Sequence, residues 1–268
     1  MISIQLISNG ESHLTETLES IRKQDFNDYE IVCTDSSGRR DVEKLLGEYG
    51  CRTILMPEHT NILNARYQSH IHSRGDWCLL LDSTRPLKEN ALDILMERYS
   101  NYDMTIIKED SLGSGFWVKQ AKKLADISIS QCNRLSTETL AFLLPRFYKR
   151  SVLDFSFSAV REIAKDTFNR ISYGDHQLIF EGARGLSRDI GFTEERLILH
   201  FEDDSLARIL RKYHRYGVSQ RTLNLIGTSE SKHFFSHARK NIPIIKRIDT
   251  LPISIARTVP FLFGYFLI

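Results

Sequence analysis

The segment ISIQLISNGESHLTETLESIRKQDFNDYEIVCTDSSG, Ile2–Gly38, decides the fold class. Its opening run, Ile2–Ser8, is rich in isoleucine and leucine and reads as a buried strand. Leu14, Leu18 and Ile21 then recur at helical spacing, and a second β-rich run follows at Glu30–Thr34. Strand, amphipathic helix and strand in that order predict a parallel pair joined by a crossover helix.

The same rhythm extends through the first hundred residues. Further strands are predicted at Arg52–Met56 and Trp77–Leu81, with helical stripes at Val42, Leu45, Leu46 and Tyr49 and at Leu92, Leu95, Met96 and Tyr99. These stripes are core faces of an α/β domain with a mostly parallel sheet and flanking helices. After Tyr102 the pattern is less regular, with strand-like runs at Met104–Ile107, Phe116–Val118, Leu140–Leu144 and Leu197–Phe201. No internal repeat or low-complexity tract is present, and the clearest compositional break lies near Ser205.

With 268 residues, 41% hydrophobic and 26% charged, the chain can bury a large core. Its formal net charge of +2 conceals an asymmetry: from Ser205 onward eleven Lys and Arg face only Glu230 and Asp249, so that segment carries +9 and the rest −7. Such a tail suits an anionic partner. Arg208, Arg211, Lys212 and Arg215 alternate with Leu206, Ile209, Leu210 and Tyr213, giving a helix with a basic and an apolar face. The final run, LPISIARTVPFLFGYFLI, is apolar but holds two prolines and Arg257, which suits an interfacial helix better than a membrane span. The alternative is that the tail packs against the domain. An anionic membrane surface is the expected partner, and no nucleic acid is expected, because the basic residues accompany a long aliphatic run. Cys33, Cys51, Cys78 and Cys132 lack CxxC spacing and read as reduced, buried thiols. The N-terminus shows no signal-peptide pattern and no N-x-S/T sequon occurs, so the expected location is the cytoplasmic face of a membrane, peripheral or monotopic.

In open α/β sheets ligands gather beyond the carboxyl ends of the strands. Ser8 and Asn9, then Asp35, Ser36 and Ser37, then Asp82, Ser83 and Thr84 occupy such ends and are expected to converge on one cleft. Asp35 is placed either to accept a nucleobase N–H or to cap a turn. Asp82, ending WCLLLD, is placed either to ligate a divalent cation that neutralises a diphosphate or to cap the helix start that follows. His200, ending LILHF, is a second candidate metal ligand or a structural histidine. His70 and His72 lie two apart on a predicted helix and cannot share a face, and Gly113-Ser114-Gly115 lacks the strand and helix of a phosphate loop.

The order and spacing of Ile2–Gly38, the N-x-x-x-A-R of Asn61 to Arg66 and RGDWCLLLDST at 74–84 resemble the inverting glycosyltransferase family 2, with its Rossmann-like GT-A fold. PRFYKRSVL at 145–153 resembles that family's segment before the acceptor region, and Tyr173-Gly174-Asp175 its Glu-Asp motif. The resemblance implies a residue-by-residue assignment: Asp35 contacts the base, with Ser8, Asn9 and Ser37 around the nucleotide, and Arg66 lies near it. It also implies that Asp82 is the first Asp of a D-x-D that binds Mg²⁺ or Mn²⁺, and that Asp175 is the general base that deprotonates the acceptor hydroxyl. Three positions depart from the pattern and each removes an acid: Thr84, Ser36 and Gly174.

The resemblance implies a division into a GT-A domain at 1–204, with a nucleotide-binding half at 1–100 and an acceptor half at 101–204, and a helical membrane-associating extension at 205–268. The implied activity moves a sugar from a nucleotide-sugar to a glycan or lipid-linked acceptor, with inversion. Two alternatives are a catalytically silent nucleotide- or sugar-binding module and a sugar nucleotidyltransferase. The latter needs a Gly-rich basic loop after the first strand, where this chain has SNGES.

Overall fold

The computed structural model describes residues 1–58, 60–132, 144–225 and 250–266. These form two compact units. The first comprises Met1–Asp110, Pro145–Asn169 and Asp175–His200, and the second the described residues within Ser111–Leu144, Arg170–Gly174 and Phe201–Ile268. The units are therefore interleaved along the chain, whereas the expected division at 204/205 is a single cut.

The elements run β1 (Ile2–Ser8), α1 (Leu14–Arg22), β2 (Tyr29–Asp35), α2 (Arg40–Glu48), β3 (Arg52–Leu55), α3 (Ile62–Ile71), β4 (Trp77–Asp82), α4 (Ala91–Tyr99), β5 (Met104–Leu112), α5 (Phe116–Cys132), β6 (Phe147–Lys149), α6 (Arg150–Ala164), α7 (Asp175–Arg184), β7 (Ile190–Phe201), α8 (Leu206–Leu225) and α9 (Leu251–Phe266). The sheet order is β3-β2-β1-β4-β6-β5-β7. β1 lies inside it with all seven residues buried, as its unbroken apolar run requires. Two of its polar side chains donate inside the core: Ser3 to Glu30 Oε1 at 2.6 Å and Gln5 Nε2 to Ser73 Oγ at 3.0 Å. Leu14, Leu18 and Ile21 of α1 and Leu92 and Leu95 of α4 close the core over the sheet.

Register places the site. β1 pairs in parallel with β2, ending at Ser8 opposite Asp35, and with β4, ending at Ile7 opposite Asp82. The carboxyl ends of three strands are thus level, with an aspartate on either side of β1.

Two expectations change. The sheet is mixed, because the three-residue β6 inserts between β4 and β5 and runs antiparallel to both. Phe147 of β6 stacks on Trp77 of β4 with ring centroids 4.9 Å apart, which anchors the inserted strand. Phe116–Val118 is the start of helix α5, not a strand. Val118 and Ala121 are buried three residues apart, a helical interval that a three-residue apolar run cannot reveal. Leu197–Phe201 is the end of β7. Residues 140–143 of the run Leu140–Leu144 lie outside the described residues, as do Glu230, Lys232, Arg239, Lys240, Lys246, Arg247 and Asp249 of the tail. Cys33, Cys51 and Cys78 are free thiols, and burial pushes Cys51 and Cys78 up to about 12. The side chain of Cys132 lies outside the described residues.

In the second unit, α8 and α9 approach closely at two glycines. A Cβ at Gly217 would fall 2.0 Å from the Phe261 carbonyl oxygen, and one at Gly264 would fall 2.2 Å from that of His214. Ile209, Ile253 and Ala256 form the small core there, with Trp117, Leu124 and Tyr213 packed against it. Among the described residues no helix is long and apolar enough to cross a membrane.

Gly75, entering β4, has no room for a side chain: a Cβ would meet Ser3 N at 2.6 Å and Met1 O at 2.8 Å, both backbone atoms. Gly75→Ala is expected to destabilise the first unit by about 1–3 kcal/mol in urea denaturation. Gly47→Ala, in open space within α2, is expected to be neutral or stabilising by up to ~1 kcal/mol. Equal effects of the two substitutions would contradict this packing.

Candidate active site

The loops after β1, β2 and β4 are tied together by local hydrogen bonds. Ser36 N–H donates to the Ser8 carbonyl at 3.0 Å, and Ser8 Oγ accepts from Gly10 N–H at 3.1 Å. Glu11 uses one carboxylate oxygen for both Asn9 N–H (2.8 Å) and Ser83 Oγ (2.6 Å), which links the β1 loop to the β4 loop. Asp35 is only 2% exposed; its Oδ2 accepts from Ser37 Oγ at 2.7 Å, while its Oδ1 is buried with no partner among the described residues. A buried acceptor without a donor is costly, so this oxygen is suited to receive an N–H from a ligand. The structure therefore brings Ser8, Asn9, Asp35 and Ser37 to one place.

Beside it lies a ring of alternating charges. Arg66 on α3, 1% exposed, donates from Nε to Asp175 Oδ2 and from Nη2 to Asp82 Oδ1 at 2.5 Å. Asp82 Oδ2 accepts from Arg85 Nη1, with Arg146 Nη1 3.5 Å away. Arg85 and Arg146 both reach Glu109, the latter at 2.6 Å. His176 Nε2 closes the ring, 2.7 Å from Arg66 Nη2 and 2.9 Å from Arg146 Nη1. Three carboxylates and three guanidinium groups alternate around one neutral imidazole.

Burial and these charges set the protonation states. Burial alone would raise the Asp82 carboxyl, but Arg85, Arg66 and Arg146 hold it well below the usual carboxylate range. Burial opposes ionisation of Glu109 too, yet Arg85 and Arg146 bring it down to about 2. Burial, reinforced by Arg66 and Arg146, pushes His176 well below the ordinary histidine value and keeps it neutral. Guanidinium nitrogens only donate, so Nε2 of His176 accepts and its proton resides on Nδ1.

Glycosyl transferase family 2 matches residues 7–125, the stretch that supplies Ser8, Asp35, Arg66, Asp82, Arg85 and Glu109. The match marks this stretch, a little under half of the chain, as similar to a family 2 glycosyltransferase domain. The chain is accordingly a nucleotide-sugar-dependent glycosyltransferase with the GT-A fold. Crystal structures of S. aureus TarS share this fold. TarS 1–349 in complex with UDP-GlcNAc is 13% identical, with 98% of this chain and 81% of that chain covered and a TM-score of 0.56. In complex with UDP it is 15% identical, with coverage of 98% and 88% and a TM-score of 0.56. A longer TarS chain, also 15% identical, is covered over 54% of its length against 98% of this one, with a TM-score of 0.53. No curated protein sequence matches the chain.

GT-A glycosyltransferases commonly use a divalent cation, and Asp82 is the residue expected to hold it. The residues present do not fit one. Both oxygens of Asp82 already accept guanidinium N–H groups, and Thr84 stands where a second carboxylate would be needed. Among the described residues no three or more His, Cys, Asp or Glu side chains are grouped to hold a metal. His200 does not supply the missing ligand: its Nδ1 is 3.9 Å from Glu109 Oε2, so the carboxylate it meets is one already bonded to two arginines. Asp82 and His200, expected as a pair of metal ligands, each face members of the charge ring here. His70, buried, bonds to Asp154 at 2.7 Å, and His72 Nδ1 contacts the Gln68 carbonyl oxygen at 2.8 Å.

Arg85, Glu109, Arg146 and His176 of this glycosyltransferase site were not singled out from sequence. Arg85 lies three residues beyond the strand-end Asp82 and His176 directly follows Asp175, so proximity to a candidate was a usable signal for both. Glu109 and Arg146 have no local signal, since β6 alone brings Arg146 beside Asp82 and Glu109.

Removing the cation from between two buried carboxylates is expected to be severe. Arg66→Met should lower stability by about 3–5 kcal/mol in urea denaturation near neutral pH, because Asp82 and Asp175 lose a shared counter-ion. The acid limb provides a second check. Glu109 and Asp82 have depressed folded values, so their stabilisation is complete above the unfolded carboxylate value of about 4 and is lost as pH falls below it, in the case of Glu109 toward about 2. Glu109→Gln should flatten the fall of stability with pH in that window; an unchanged slope would show that the ring does not contribute to folding.

Proposed function

We propose that this domain binds a nucleoside-diphosphate sugar beyond the carboxyl ends of β1, β2 and β4 and transfers the sugar, with inversion, to a glycan or lipid-linked hydroxyl. The observation that carries the reading is Asp35 Oδ1, a buried acceptor beside Ser8 and Ser37 with no partner among the described residues, where a nucleobase N–H completes the hydrogen bonding. Binding of UDP and UDP-GlcNAc by TarS, which shares the fold, makes a UDP-sugar the first donor to test.

In the transfer, the acceptor oxygen bonds to the anomeric carbon as the bond from that carbon to the diphosphate oxygen breaks. Asp175 takes the hydroxyl proton, and the nucleoside diphosphate leaves with the electron pair. Asp175 begins helix α7 and is fixed by Arg66, so its position is set by the same residue that holds Asp82. The pairing with Arg66 also favours a second reading, a binding module without turnover, because Asp175 Oδ2 is already engaged by a guanidinium N–H. Multiple turnovers of donor to free UDP and glycosylated acceptor exclude it.

The second unit supports a place at a membrane surface, on the cytoplasmic face. Helix α9 exposes Leu251, Ile255, Val259, Leu262, Phe263 and Phe266 along one side while Ile253, Ala256 and Pro260 are buried on the other. Helix α8 exposes Arg208, Arg211 and Arg215 with Leu206 and Leu210. An apolar stripe accompanied by cations complements anionic lipid headgroups.

Two measurements test these roles. Asp35→Ala should weaken UDP about tenfold or more in calorimetric titration, the cost of a hydrogen bond to a charged acceptor. Asp175→Asn should lose on the order of 10²-fold in turnover while UDP affinity changes by less than about threefold. Normal turnover by Asp175→Asn would remove it as the base, and unchanged UDP affinity in Asp35→Ala would remove Asp35 from the site. In co-sedimentation with phosphatidylserine vesicles, binding should fall as salt rises yet persist in part, and replacing Leu262, Phe263 and Phe266 by Ser should abolish the salt-resistant fraction. Failure of the full chain to bind such vesicles at low salt would contradict the membrane placement.

A further inference from the structure

A site built to hold a cation presents acceptors, whereas the charge ring presents donors. Asp82 has its Oδ1 on Arg66 and its Oδ2 on Arg85, with Arg146 3.5 Å away. Mg²⁺ at Asp82 needs about six oxygens at roughly 2.0–2.1 Å, so it would have to displace these guanidinium groups and remain beside them as a like charge. By contrast, two buried N–H groups of the ring have no acceptor among the described residues. One is Arg66 Nη1. The other is His176 Nδ1, which carries the ring proton because Nε2 faces the donors of Arg66 and Arg146. Unmet buried donors call for an oxygen-rich anion, and guanidinium groups suit phosphate because they offer paired N–H groups with a permanent charge.

We infer that the guanidinium groups of Arg66, Arg85 and Arg146, and not a divalent cation, neutralise the diphosphate of the donor. The inference rests on the nucleotide-sugar reading above and specifies the phosphate half of that site. Glu109 then acts as a positioning residue, aiming Arg85 and Arg146 from the side opposite Asp82. Phosphate oxygens take up the unmet N–H of Arg66 and draw its guanidinium from Asp175, which leaves that carboxylate free to accept the acceptor's proton. Donor binding and unmasking of the base are thereby one event. No redox or additional group-transfer step is involved, and the arginines remain protonated throughout.

The test is calorimetric titration of the full chain with UDP, GDP and ADP, each in excess EDTA and again in millimolar Mg²⁺ or Mn²⁺. The expected result is that the preferred diphosphate binds with affinities within about threefold in the two conditions. Arg85→Gln and Arg146→Gln should each weaken that diphosphate about tenfold or more while the corresponding nucleoside is affected less than about twofold. The comparison in wild-type protein needs no variant, so a variant that fails to fold does not obscure it. Affinity rising tenfold or more with Mg²⁺ or Mn²⁺ would overturn the inference and leave the nucleotide-sugar reading standing. So would diphosphate affinities unchanged in folded Arg85→Gln and Arg146→Gln. Absence of binding by all three diphosphates in both conditions would defeat the nucleotide-sugar reading itself, and this inference with it.

Discussion

Arg66 is almost completely buried, and it bonds at once to the last residue of β4 and the first residue of α7. A buried guanidinium is tolerated only where carboxylates and acceptors surround it, because desolvation of the bare charge costs several kcal/mol. This requirement couples three separate parts of the chain: α3 must present the arginine, β4 must end at Asp82, and α7 must begin at Asp175. Once they meet, Arg85, Glu109, Arg146 and His176 close the circuit, and each charged group in it is oriented by a neighbour of opposite sign. The ring thus serves first as a positioning device. Its geometry holds the proposed base within one residue of the strand-end aspartate.

The sheet makes that meeting possible. Parallel registry sets Ser8 opposite Asp35 and Ile7 opposite Asp82, so the ends proposed to meet the base and the phosphates flank a single buried strand. The short antiparallel β6 then carries Arg146 alongside β4, with the Leu80 N–H donating to the Arg146 carbonyl at 2.7 Å. A mixed sheet is therefore not incidental to the site. Without β6 in that place, Asp82 and Glu109 would keep Arg85 between them but lose Arg146, their second shared cation.

What was legible in the sequence follows from range. Ser8, Asp35 and Asp82 could be found because a strand end is a local feature: an unbroken apolar run stops at a polar residue, and ligands collect there. Asp175 was reached only through the family resemblance, since nothing in its own neighbourhood marks a base. Arg146 and Glu109 were not legible, because 37 residues separate them and a three-residue strand too short to predict brings them together. The expectation of a metal at Asp82 meets the charge ring for a related reason. A lone strand-end aspartate resembles half of a cation site, and only the arrival of three arginines from α3, the β4 loop and β6 shows its lone pairs to be occupied. Phe116–Val118 was read as a strand because three apolar residues carry no period, and the helix is visible only when Ala121 is buried with Val118.

What faces the donor's phosphates can be seen in a crystal structure of the full chain grown with UDP and Mg²⁺. The diphosphate is expected within hydrogen-bonding distance of the Arg66, Arg85 and Arg146 guanidinium groups, the uracil against Asp35, and Asp82 still bonded to arginine with no cation between it and the phosphates. An octahedral Mg²⁺ bridging Asp82 and the diphosphate, with the arginines turned away, would contradict it.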